Sequence, residues 1–186
     1  MMVLPWYSWF KIAVFALLAC NASAFLLSGT PSEALDAAAW LTLLALFELE
    51  TAHEDRLQGR HALAVTHASR VAAAAAVVIA AAGYVFEGEW LDAANSWLWI
   101  AVVVLLEFEV RYPGAVKRRR VSFAAVAATL YAGLAALVLA WAWRSEWFDA
   151  YDALLWLIAF VTIELNVLRL APGGDLRAGA ETAKSA

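Results

Sequence analysis

Three glutamates recur in this chain with the same surroundings: Glu48, Glu107 and Glu164. Each stands eight residues after a tryptophan (Trp40, Trp99, Trp156) and twelve after Asp36, Asn95 or Asp152. A further column, Glu50, Glu109 and Asn166, follows two residues on. Carboxylates within apolar segments are costly to desolvate, so they face a cavity, a partner or water, and rings of acidic side chains are one way that pores select cations. Glu48, Glu107 and Glu164 are therefore candidates for a cation pathway. Glu50, Glu109 and Asn166 lie about 200° further round the helix and do not line the same pore. The competing reading puts these glutamates one turn from helix ends, within reach of headgroups and water, with Glu107 paired to Arg111 at i+4. The position near the helix ends favours that second reading.

Asp36, Asn95 and Asp152 lie about 18 Å from the Glu column along a helix axis. They are either helix-start residues favoured by the macrodipole or the outer mouth of a pathway, and the helix-start reading carries more weight. The tryptophan column reads as packing or interface anchoring rather than a ligand cage.

Other reactive residues offer less. His53, His61 and His67 stand near Glu50, Glu54 and Asp55, a donor set suited to a divalent metal. No two of them share a predicted helix at ligand spacing, and the other copies of the repeat lack them, so no metal and no cofactor is expected. Phosphate loop, nucleophile elbow and zinc-protease motifs are absent, which argues against an enzyme. Arg70 either snorkels to the interface or pairs with a glutamate. The run from Lys117 to Arg120 reads as a topology determinant that attracts anionic lipid, with no nucleic acid as partner. A lone cysteine, Cys20, excludes an intramolecular disulfide framework.

These residues must be positioned by helices in a membrane. Apolar residues make up 65% of the 186, and charged residues only 16%, far from the balance of a soluble domain. Six segments are long enough to cross the bilayer as helices: 5–28, 31–52, 61–86, 89–112, 121–144 and 147–170. The run Thr30-Pro31-Ser32-Glu33 offers a capping box with proline at the first helical position. Pro113-Gly114 and Pro172-Gly173-Gly174 stop the fourth and sixth segments. Short loops make neighbours in sequence antiparallel neighbours in space. The expected fold class is thus an all-α integral membrane protein, a single six-helix transmembrane domain over 1–174 with a flexible polar tail over 175–186.

Charge orients it. Twelve of the 13 lysines and arginines fall on one side of this arrangement, Arg144 being the exception. The positive-inside rule then places both termini in the cytoplasm, in what reads as a bacterial inner membrane. Glu33, Asp36, Glu87, Glu89, Asp92, Glu146, Asp149 and Asp152 mark the opposite side, where Trp90, Trp141, Trp143 and Trp147 also gather. Near the N-terminus, Ala16 to Cys20 and Ala22-Ser23-Ala24 mimic processing sites. Lys11 already has mostly apolar residues before it, and losing helix 1 would break the hairpin pattern, so retention of helix 1 is expected.

The repeat adds architecture. Residues 5–52, 61–112 and 121–170 form three tandem αα-hairpins of like orientation, compatible with a pseudo-threefold axis along the membrane normal. Small residues at i, i+4 spacing mark the odd helices: Ala16, Cys20 and Ala24; Ala72, Ala76 and Ala80; Ala125, Thr129 and Gly133. Such stripes allow close approach between helices in lipid, so odd helices are expected nearer the centre and the bulkier even helices outside. The stretches Leu105 to Arg111 and Ile163 to Arg169 resemble the second helix of voltage-sensor domains, with an acidic residue ahead of an arginine. The family's helix with an arginine at every third position is absent, and no family is assigned.

Three functional classes follow, the weakest being a membrane enzyme whose site these residues do not reveal. The first is a non-catalytic structural or assembly subunit, with the bilayer, other membrane subunits or further copies of itself as partners. The alternative is a cation channel or transporter using the glutamate ring. The near-absence of midspan glycine and proline, Gly133 excepted, argues against a rocking carrier.

Overall fold

In the computed structural model the backbone is described over residues 5–52 and 59–170, and side chains over 9–50, 59 and 61–162. His53 and the tail 175–186 lie outside the described residues. Among the described residues the chain is entirely helical, without strands: α1 (Pro5–Ser28), α2 (Pro31–Ala52), α3 (Arg60–Glu87), α4 (Trp90–Arg111), α5 (Pro113–Arg118), α6 (Arg120–Trp143) and α7 (Trp147–Leu170).

The boundaries have local causes. At the start of α2, the Glu33 N–H donates to Thr30 Oγ1 at 3.2 Å, and the Thr30 N–H donates to Glu33 Oε2 at 2.5 Å. This reciprocal pair satisfies two orphan donors behind Pro31. Gly88 ends α3 in the left-handed region, with φ 83°, where a Cβ would be strained. Pro113 does more than follow the end of α4. It opens the short helix α5, whose last turn holds Lys117 and Arg118 beside the C-terminal dipole.

Among the described residues, four helices contain stretches long and apolar enough to cross a membrane: Trp9–Ser28, His61–Glu87, Trp90–Arg111 and Arg120–Trp143. By contrast, α2 carries Glu33, Asp36, Glu48 and Glu50 within its length. Apolar side chains cover much of the outer surface, with Leu27 and Phe86 each 89% exposed and Trp143 91%. A surface of this kind suits lipid rather than water.

Each long helix packs against its neighbours in sequence, and α1 meets α7, so α1, α2, α3, α4, α6 and α7 close into a ring. The centre is filled by Trp40 and Trp99 with Ala39, Val77, Val102 and Leu134, and Trp156 and Phe160 pack against them. The expected arrangement of odd helices inside and even helices outside is not found, because the two kinds alternate around the ring. Trp40 and Trp99 point inward, as does Ala80 of the stripes, whereas Ala16, Cys20, Ala72, Ala125 and Thr129 are exposed. The physical reason is volume: a ring of six helices leaves a central space that indoles fill and alanines do not.

Candidate functional site

The ends of α2, α4 and α7 nearest the tight turns surround a partly open cavity of about 50 Å³. Its volume admits a few water-sized groups. Glu33, Asp36, Asp92, Asp149 and Asp152 line it, together with Asn95 and Tyr84, and no lysine or arginine does. Trp40, Trp99, Trp156 and Phe160 form its floor and Trp141 part of its wall. Within the floor the ring centroids of Trp40 lie 6.4 Å from Trp99 and 6.3 Å from Trp156, and those of Trp99 and Phe160 lie 4.6 Å apart.

Helical spacing explains the convergence. Asp36, Asn95 and Asp152 each precede their tryptophan by four residues, one turn, so carboxyl or amide and indole share a helix face. Asn21, buried on α1, donates from Nδ2 to Asp152 Oδ1 at 2.8 Å. Ser96 Oγ donates to Asp36 Oδ2 over a longer 3.4 Å. Among the described residues, Asp36 Oδ1 and Asn95 Oδ1 are enclosed and have no hydrogen-bond partner. A buried acceptor left unpaired costs about 1–3 kcal/mol, and both of these belong to residues that line the cavity.

The glutamate columns are arranged otherwise. Glu48 Oε1 lies 2.5 Å from Lys11 Nζ on α1, Glu50 pairs with Arg70 on α3, and Glu107 Oε1 lies 2.5 Å from Arg111 Nε on its own helix. The two columns on α2 thus face opposite neighbours, as a 200° separation requires. Glu109 is exposed. The side chains of Glu164 and Asn166 lie outside the described residues. His61 and His67 are exposed, and among the described residues no three His, Cys, Asp or Glu side chains are grouped as a metal ion would need.

Reasoning from sequence missed two aligned columns. Glu33, Asp92 and Asp149 each stand three residues before Asp36, Asn95 and Asp152, and all three line the cavity. Extending the repeat one turn upstream would have revealed them. Phe25, Tyr84 and Trp141, on α1, α3 and α6, also line the cavity and stand at the same sequence offsets from one another as Glu48, Glu107 and Glu164, which makes them the second column. No family model, curated protein or solved structure matches this chain.

Proposed function

We propose that this is an integral membrane protein of six transmembrane helices, built as three hairpins about a pseudo-threefold axis, that binds cations in the acidic cavity. The observation that carries the reading is the convergence of five carboxylates on one cavity without a cationic side chain, over a floor of indoles. Carboxylates held together in partial burial repel one another, and a bound cation relieves that repulsion. The positive-inside rule puts this mouth outside the cytoplasm and both termini within it. Val77, Val102 and Leu134 pack with the tryptophans into one core cluster, which favours a closed binding site over an open pore.

The test is thermal unfolding of the purified protein against a panel of inorganic and organic cation chlorides at fixed ionic strength. A ligand that binds the native state raises the transition temperature with concentration. We expect at least one cation to do so for wild type and Glu48→Gln but not for Asp36→Asn or Asp152→Asn. A panel without any saturable shift would refute the reading.

A second reading, a structural or assembly subunit, is favoured by one observation. Along α6 only Leu134 and Trp141 are fully buried, and Val121, Val126, Leu139 and Trp143 are exposed on the side turned away from α4 and α7, which offers an apolar face to lipid or to another chain.

A further inference from the structure

We infer that the cation taken by this cavity is a primary ammonium carrying a small apolar group, its N–H donors on Asp36 and Asn95 and its apolar part on the tryptophan floor. The inference rests on the cation-binding reading above and names the ligand class. It begins from the two unpartnered oxygens, Asp36 Oδ1 and Asn95 Oδ1, both enclosed and both on residues that line the cavity. One is a carboxylate oxygen and the other a neutral amide oxygen, so the site offers a charged and an uncharged acceptor. An ammonium group brings three donors, no acceptor and a positive charge, which matches that pair.

An inorganic divalent ion matches it less well. Calcium requires six to eight oxygens around it, and magnesium an octahedron. Among the described residues no three ligating side chains are grouped that closely. Asp152 Oδ1 is already engaged by Asn21 at 2.8 Å, and Asp36 Oδ2 by Ser96, so neither of these carboxylates has both oxygens free to clasp a metal ion.

The floor selects for the rest of the ligand. Indole faces attract cations and bury methyl or methylene groups without needing partners. Trp40, Trp99, Trp156 and Phe160 present both properties directly beneath the polar rim. The cavity volume of about 50 Å³ limits the apolar group to a short one. Glu33, Asp92 and Asp149 stand nearer the turns on the same helices and would draw any cation toward the mouth.

Binding is read from the tryptophan fluorescence of the full-length protein in micelles, at constant ionic strength. The probes are methylammonium, ethylammonium, tetramethylammonium, sodium and calcium chlorides. We expect saturable changes with methylammonium and ethylammonium, ethylammonium being tighter. Tetramethylammonium, which has no N–H, should bind at least about tenfold more weakly, the scale of one or two lost hydrogen bonds. Asn95→Leu, which removes the amide acceptor at similar volume, should weaken ethylammonium by about the same factor. Asp36→Asn should do so as well, and if that variant fails to fold the ligand series on wild type still decides. Tetramethylammonium equal to ethylammonium, or preference for sodium or calcium, would overturn the ammonium assignment while leaving a cation site. No saturable response to any cation would overturn both.

Discussion

At the scale of single residues, the contrast lies between carboxylates paired with a basic side chain and those lining the cavity, where among the described residues no lysine or arginine stands. Glu48, Glu50 and Glu107 all meet a basic side chain, and each pair is at least partly exposed. Exposed pairs at i+4 contribute little, because solvent screens them and ordering two long side chains costs entropy. Glu107→Gln should therefore change stability by no more than about 0.5 kcal/mol in denaturant unfolding. A loss several times larger would show that Glu107 is held by more than Arg111. The sequence made the pairing of Glu107 with Arg111 legible, since both lie on one helix at fixed spacing. It did not make Lys11 with Glu48 legible, since that contact depends on which face of α1 meets α2. Asp36 was legible as an aligned position, yet a helix-start aspartate and a cavity-lining one look alike in a string of letters. What separates them is whether three such helices turn the same face inward.

At the scale of elements, helix ends were the most readable part, because capping residues act locally. The reciprocal bonds of Thr30 and Glu33 and the left-handed Gly88 need no tertiary context. Packing between helices was less readable. Gly83 on α3 lies so close to α2 that an added Cβ would collide with Ser32 Oγ, which donates to Glu87 at 2.8 Å. Gly83→Ala is expected to destabilise by about 1–3 kcal/mol through overpacking and loss of that bond. Ser32→Ala in the same background should recover part of the loss, since the two changes share one contact. Denaturant unfolding of the two single variants and the double variant measures this. Strict additivity would place the clash elsewhere. The small-residue stripes misled because they report where close approach is allowed, while the bulk of Trp40 and Trp99 decided what fills the centre.

At the scale of the molecule, the question is whether α2 crosses the membrane. Among the described residues four helices qualify by length and composition alone, and neither α2 nor α7 is among them. Its Asp36 faces the cavity, Glu33 closes a cap, and Glu48 and Glu50 meet Lys11 and Arg70. Each acidic side chain on α2 therefore has a place other than hydrocarbon, the condition for an acidic helix to span. Labelling with a membrane-impermeant thiol reagent separates the topologies, after Cys20, which is exposed, is changed to alanine. Gly59→Cys and Gly114→Cys are tolerable reporters because a Cβ meets nothing within 4 Å at either position. Ser28→Cys and Ser145→Cys, both at exposed positions, report the tight turns. With six crossings, positions 28 and 145 react from one side of sealed vesicles, and positions 59 and 114 from the other. If α2 stays on the surface while α1, α3, α4 and α6 cross, position 28 joins 59 and 114 instead. We expect the first pattern, because only a crossing α2 carries Asp36 and Trp40 to the depth at which Asn95 and Trp99 stand on α4. The second would separate those columns across the membrane and dissolve the cavity on which the proposed function depends.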